Sequence, residues 1–159
     1  MVGEVAAARA LEEEGLAIAA KLGTRLILGW QKGFLAACVL SAGDYATAAS
    51  LAEEGVQAAS ETGDRMPLAL AKRILADAVA RADGASHDRA HALMREAVQV
   101  LEEIGAQPEL ARTYVHYAQL LRRIGDDAAA RRHLDKALAM FRDMRMVWDE
   151  ARVRELLAS

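Results

Sequence analysis

The chain has 159 residues, a formal net charge of −3 and one cysteine, Cys38. Its length suffices for a domain with its own core, and a single cysteine excludes an intrachain disulfide and zinc sites built on cysteine pairs. The near-neutral charge disfavours generic binding to nucleic acid or anionic lipid, so neither is expected as a partner.

The predicted elements are all helices. Apolar residues recur at i, i+3, i+4 and i+7, a helical stripe rather than the alternation of a strand. The composition, with two prolines and 4% aromatic residues, is typical of helical proteins. We predict an all-α fold with eight antiparallel helices at about 2–22, 25–42, 46–62, 65–83, 87–104, 108–124, 127–144 and 147–158.

One block recurs along the chain. The segment 11–25 matches the segment 51–65, displaced by 40 residues, and returns in more divergent form at 93–105 and 133–145. An alanine lies three residues before each block. These alanines are Ala8, Ala48, Ala90 and Ala130, at spacings of 40, 42 and 40 residues. Such a period indicates stacked helical pairs, each burying its face on the next.

Glycines separate the predicted helices. Gly23, Gly63 and Gly105 follow the repeated block, where a left-handed residue ends a helix at no steric cost. A second set of turns lies within each period, at Gly43, Gly84 and Gly125.

Two segments resemble the tetratricopeptide repeat. They are Leu35-Ala36 with Gly43-Asp44-Tyr45, Ala48 and Gly55, and Tyr117-Ala118 with Gly125-Asp126-Asp127, Ala130 and Ala137. The period of about 40 is similar to that of the longer variants in bacterial multidomain signalling regulators, and the tail 141–152 is similar to the end of the repeat region in class III adenylate/guanylate cyclase-like or LuxR/MalT-like proteins. The resemblance implies an α-α superhelix that binds other proteins.

A single repeat domain over 1–159 is expected. It comprises a half repeat 1–23, repeats at about 24–63, 64–105 and 106–145, and a C-terminal capping helix 147–158 whose Trp148 we predict to contact the core. Because the chain opens in the second helix of a repeat, we expect a fragment of a larger cytoplasmic protein, with self-association through the face that a preceding helix would cover.

Candidate chemistry is sparse, and neither a catalytic role nor a cofactor nor a metal is expected. His87 and His91 stand at i and i+4, a spacing used for zinc, but a third ligand is missing from the motif and a solvated helix face is favoured. Cys38 lies in an apolar run and fits a core residue. Arginines around Gly125 either form local salt bridges, the favoured interpretation, or hold an anion.

A partner-binding groove follows from the resemblance, on one face of the first helix of each repeat. Its predicted residues are Trp30, Ala37, Lys72, Leu75, Val79, Arg112, Val115, Gln119 and Arg122. For Trp30, packing on the first helix and an anchor for a partner both stay open. The set is apolar in the middle and basic toward the C-terminus, so we expect a protein or peptide with apolar anchors and an acidic end. The alternative function is a small-ligand-sensing regulatory domain of a signalling ATPase, cyclase or transcription regulator.

Overall fold

The computed structural model describes residues 2–22, 27–82 and 87–159, with the backbone alone at 2–5, 8 and 22. Over these residues the chain forms helices and no strand, which confirms the all-α prediction. Among helices next to each other in the chain, α1 packs against α2, α2 against α3, α3 against α4, α6 against α7, and α7 against α8. The described helices are α1 (Val2–Leu22), α2 (Leu28–Ser41), α3 (Tyr45–Thr62), α4 (Arg65–Ala82), α5 (His87–Glu103), α6 (Gln107–Arg123), α7 (Asp127–Asp143) and α8 (Val147–Ala158).

The helix ends agree with the predicted ones to within one residue, apart from the start of α2. That helix begins at Leu28 after a turn at Ile27, and its predicted start at residues 25 and 26 lies outside the described residues. The predicted turns at Gly23 and Gly84 and the predicted end of a helix at residue 83 lie outside them as well.

The glycine turns confirm the sequence interpretation where the structure describes them. Gly63 and Gly105 have φ of 72° and 68°, the left-handed conformation that glycine adopts without a steric penalty. Their counterpart in the last block is Arg145, which takes φ of 57° although it carries a side chain. The repeat therefore keeps its backbone geometry even where the sequence lacks the glycine.

Aspartates cap two of the helices that follow a glycine turn. Asp44 accepts a hydrogen bond from the backbone N–H of Thr47 at 3.1 Å, and Asp126 accepts one from Ala129 at 2.9 Å. The bond to Thr47 lowers the pKa of the Asp44 carboxyl below its ordinary value. Each carboxylate satisfies an N–H that has no partner inside its own helix.

The chain forms two compact units, Met1–Ala97 and Val98–Ser159. In the first unit, α2, α3 and α4 enclose two clusters of apolar side chains. One contains Leu35, Val39, Ala48 and Ala78, and the other contains Ala36, Ala52, Leu75 and Val79. Helices α2 and α3 approach closely, since a Cβ placed on Gly29 would lie 3.0 Å from the Cβ of Ala59.

The second unit comprises the end of α5 together with α6, α7 and α8. Its largest fully buried side chains are Leu101, Leu120, Leu134, Phe141 and Val153. The ring of His133 stacks on those of Tyr114 and Tyr117, with centroid distances of 5.4 and 4.5 Å respectively.

The small residues that the repeat keeps in phase are fully buried. Ala48, Ala90 and Ala130 each have no exposed surface, whereas the side chain of Ala8 lies outside the described residues. Their burial agrees with close contact between helices at these positions. Along the described part of the chain, no helix combines the length and the apolar character needed to cross a membrane.

Candidate partner-binding site

The predicted groove residues of the first unit divide into buried and partly exposed side chains. Leu75 and Val79 are only 3% and 6% exposed and pack within the second cluster of the core. Trp30, Ala37 and Lys72 are partly exposed. A partner on this face would therefore meet Trp30, Ala37 and Lys72, while Leu75 and Val79 support the surface from beneath.

Lys72 is part of a charged pair that recurs with the repeat. Its Nζ lies 2.7 Å from Oε2 of Glu96, joining α4 to α5, and 40 residues earlier Lys32 lies 2.6 Å from Oε2 of Glu54, joining α2 to α3. The sequence prediction missed this pairing. The 40-residue interval between the two lysines was the available signal, and it makes Lys32 rather than Trp30 the counterpart of Lys72.

Trp30 contacts the turn that follows α3 and also borders an exposed ring. Its indole Nε1 donates to Oδ2 of Asp64 at 3.2 Å, and its ring lies 5.8 Å from that of Phe34, which is 47% exposed. The hydrogen bond fixes the indole beside the C-terminal end of α3. The two rings form a small aromatic patch on α2, and Phe34 is the more exposed of the two.

In the second unit, the structure brings three of the four predicted residues together. Arg112, Val115 and Gln119 of α6 line a cleft of about 100 Å³. Its other walls are made by residues that the sequence prediction missed, namely His116, Phe141, Asp149, Arg152 and Val153. Arg152 stands 40 residues after Arg112, so the repeat interval was again the signal that could have found it.

The cleft combines an apolar floor with polar walls. Val115, Phe141 and Val153 are 8%, 1% and 1% exposed. Arg152 of α8 is exposed, whereas Gln119 is partly buried. Such a combination suits an aliphatic side chain next to a carboxylate, because the arginines supply charged donors beside buried carbon.

Arg112 is already engaged inside the protein. Its Nη1 donates to Oε1 of Glu109 at 2.6 Å, and its Nε donates to Oδ1 of Asp149 on α8 at 3.3 Å. The hydrogen bonds to Glu109 and Asp149 raise the pKa of the Arg112 guanidinium above its ordinary value. The guanidinium therefore stays charged, and a carboxylate from another helix already lies against it.

Arg122 lies apart from the cleft and contacts the end of α8. Its Nη2 donates to the carbonyl oxygen of Leu156 at 2.6 Å, and its Nη1 donates to Oγ of Ser159 at 3.2 Å. A cation at a helix C-terminus satisfies carbonyls that have no partner within the helix. These donors hold α8, which is a role that the sequence prediction did not assign to Arg122.

Trp148 corrects a prediction. We expected it to contact the core, but it is 90% exposed. The inward face of α8 contains Val153, with Asp149 one turn before it and Leu156 less than a turn after it. Trp148 precedes Val153 by five residues, which turns it by about 140° away from that face.

Other candidate side chains have ordinary surroundings. His87 and His91 are partly buried, and among the described residues no group of three or more metal-binding side chains forms. Cys38 is also only partly buried, and this burial, followed by the charge of Glu12, raises the pKa of its thiol. A thiol with a raised pKa is a weak nucleophile at neutral pH.

Neither the protein-family models nor the curated proteins contain a match to this chain. The tetratricopeptide resemblance therefore stays a hypothesis based on the repeated residues.

Proposed function

We propose that this chain is a protein-interaction module whose cleft on α6 takes a peptide or helix with an aliphatic anchor and an acidic side chain. The single observation that carries the proposal is the convergence of Arg112, Gln119 and Arg152 above a buried floor of Val115 and Phe141. In protein recognition, buried apolar contacts supply most of the affinity and charged neighbours direct the encounter.

The volume of this cleft fits one side chain of a protein partner better than it fits a whole small effector. It encloses about 100 Å³, enough for one side chain. Sites for metabolites and cofactors commonly enclose about 300–1,000 Å³. An extended or helical partner needs only a side-chain-sized cavity, because the rest of its contact spreads along the helix surface. For this cleft, the comparison supports a regulatory scaffold that binds protein.

A selection of random displayed peptides against the full chain tests this function. We expect the enriched sequences to carry an acidic residue beside an aliphatic one. An enriched peptide is then titrated by calorimetry into the wild type and into Arg112→Glu, Arg152→Glu and Arg123→Glu variants. Arg123 is an exposed arginine of α6 outside the cleft, so its reversal matches the change in net charge.

Reversal at Arg112 or Arg152 is expected to lower the affinity at least about tenfold, and rising salt is expected to weaken the wild-type complex. The Arg123→Glu variant should bind nearly as the wild type does. Enrichment of peptides without acids, or equal affinities in the three variants, would contradict the proposed function.

A further inference from the structure

Helix α8 contacts the same α6 side chains that we assign to a partner. Asp149 in its first turn accepts from Arg112, Val153 is buried one turn later, and the carbonyl of Leu156 accepts from Arg122. Three of the four groove residues predicted on α6 line the cleft that α8 helps to form, and the fourth holds the end of α8. This surface of α6 is thus already covered by α8, a helix that presents an acid, Asp149, and an aliphatic residue, Val153.

The contacts of α8 are few. Within this twelve-residue helix Val153 is the buried residue, and Leu156 and Leu157 are partly buried. Helix α7, by comparison, buries a longer set: Ala129, Ala130, Leu134, Ala137 and Phe141. An isolated helix of this length is marginal in water, and elements with few buried contacts open before the rest of a fold.

Polar contacts make up much of the remaining attachment. Oε1 of Glu150 accepts from Arg142 of α7 at 2.9 Å and from Arg154 of α8 itself at 2.6 Å. Arg142 and Arg154 are more than half exposed, so solvent and salt screen these pairs. Attachment by one buried side chain, two partly buried leucines and screened pairs can be exchanged for an equivalent set from another helix.

We propose that the surface beneath α8 is a helix-docking site, that α8 is its resident ligand, and that a partner helix displaces α8 by presenting an acid in its first turn and an aliphatic residue four positions later. This proposal rests on the proposed function and adds to it the form of the partner. It keeps Arg112, Val115 and Phe141 as the binding surface, whereas Arg152 leaves that surface with α8.

The chemistry of the partner is read from α8 itself. Its carboxylate would replace that of Asp149 at Arg112, and its aliphatic side chain would replace Val153 in the cleft that Val115 and Phe141 also line. A carbonyl near its C-terminus would replace that of Leu156 at Arg122.

The probe is a labelled synthetic peptide of residues 145–159, titrated into full-length variants. In the wild type, α8 competes from within the chain at an effective concentration of about millimolar, so the peptide should bind weakly. Val153→Asp should release α8 and raise the affinity for the peptide at least about tenfold. Adding Arg112→Ala to Val153→Asp should remove that gain, whereas adding Arg123→Ala should leave it.

Amide hydrogen exchange of α8 supplies the second measurement, on chains that keep the native core. Asp149→Ala should accelerate exchange in α8 about two- to fivefold, the loss expected from one partly exposed ion pair, with α6 and α7 unchanged. A saturating amount of the peptide should accelerate exchange in the wild-type α8 further. This readout decides the matter if Val153→Asp unfolds the second unit.

The two proposals fail in different ways. Selected acidic peptides that bind through Arg112 and Arg152 while α8 keeps its slow exchange would overturn displacement and leave the proposed function intact. Peptide binding to Val153→Asp that is no tighter than to the wild type would also overturn displacement. A failure of any acidic peptide to bind would count against the proposed function first.

Discussion

At the scale of single residues, Arg145 stands out because it adopts a left-handed backbone where the other blocks have glycine. A side chain at positive φ costs about 1–2 kcal/mol through the contact of its Cβ with the following carbonyl. We expect Arg145→Gly to raise the free energy of unfolding by about 1 kcal/mol, measured by urea denaturation. The reverse change, Gly105→Arg, should lower it by a similar amount. A destabilising Arg145→Gly would mean that the arginine side chain contributes more than the strain costs.

Ala48 and Ala130 test the small-residue positions of the repeat. Both are fully buried between helices, so the extra carbons of leucine have no space. Ala48→Leu and Ala130→Leu should each lower the free energy of unfolding by about 1–3 kcal/mol. The exposed neighbours Ala46 and Ala128 provide the matched controls, and leucine there should change stability little. Equal effects at buried and exposed positions would contradict the close approach of the helices.

Tyr114 should make stability depend on pH in the alkaline range. Burial, together with the hydrogen bond that its hydroxyl donates to Oε1 of Glu102 at 2.9 Å, raises its pKa to about 12. The unfolded chain releases this proton near pH 10, so the stabilising contribution is complete below about pH 10 and is lost as the pH rises toward about 12.

Urea unfolding of wild type and Tyr114→Phe across this range measures the effect. The wild type should lose stability faster than the variant above about pH 10, and the ultraviolet absorbance of the tyrosinate ion should show the late titration directly. Parallel pH profiles for the two proteins would place Tyr114 in ordinary contact with water.

At the scale of elements, α7 depends on its first turn. Asp126 accepts from the N–H of Ala129, and α7 supplies Leu134 and Phe141 to the core of the second unit. Asp126→Ala should lower the free energy of unfolding by about 1 kcal/mol, the usual value of an N-cap. Asp127→Ala serves as the control, since that exposed acid is in the same turn but is not the cap. Equal losses would assign the effect to helix-dipole charge instead of the hydrogen bond.

Helix positions could be predicted from the sequence because their signals are local. Glycine turns, capping aspartates and a 3.6-residue stripe lie within a few residues of each boundary, and the ends of α8 agree with the prediction. The face that α8 turns inward was wrong in the prediction. In a short, charged helix, a face that contains Trp148 and one that contains Val153 have similar apolar character, and contact with α6 and α7 selects between them.

At the scale of the whole molecule, the 40-residue interval relates four cations: Lys32, Lys72, Arg112 and Arg152. The first three contact carboxylates of neighbouring helices, and Arg152 is exposed. The candidate site could be predicted only in part, because periodicity gives the face on which a charge lies and not the partner that a long side chain reaches. Arg122 was assigned to a partner for this reason, although its donors reach the end of α8.

The exposure of Trp148 also means that tryptophan fluorescence can report on α8. An indole in water emits at longer wavelength than one packed against protein, and small quenchers reach it freely. A Trp30→Phe chain, in which Trp148 is the remaining indole, should therefore emit as a hydrated tryptophan and be quenched readily by acrylamide. Shielded, short-wavelength emission from that variant would contradict the exposure. When a bound partner or a second copy covers the start of α8, the emission of Trp148 should shift to shorter wavelength. Trp148 is therefore an intrinsic fluorescent probe of the N-terminal end of α8.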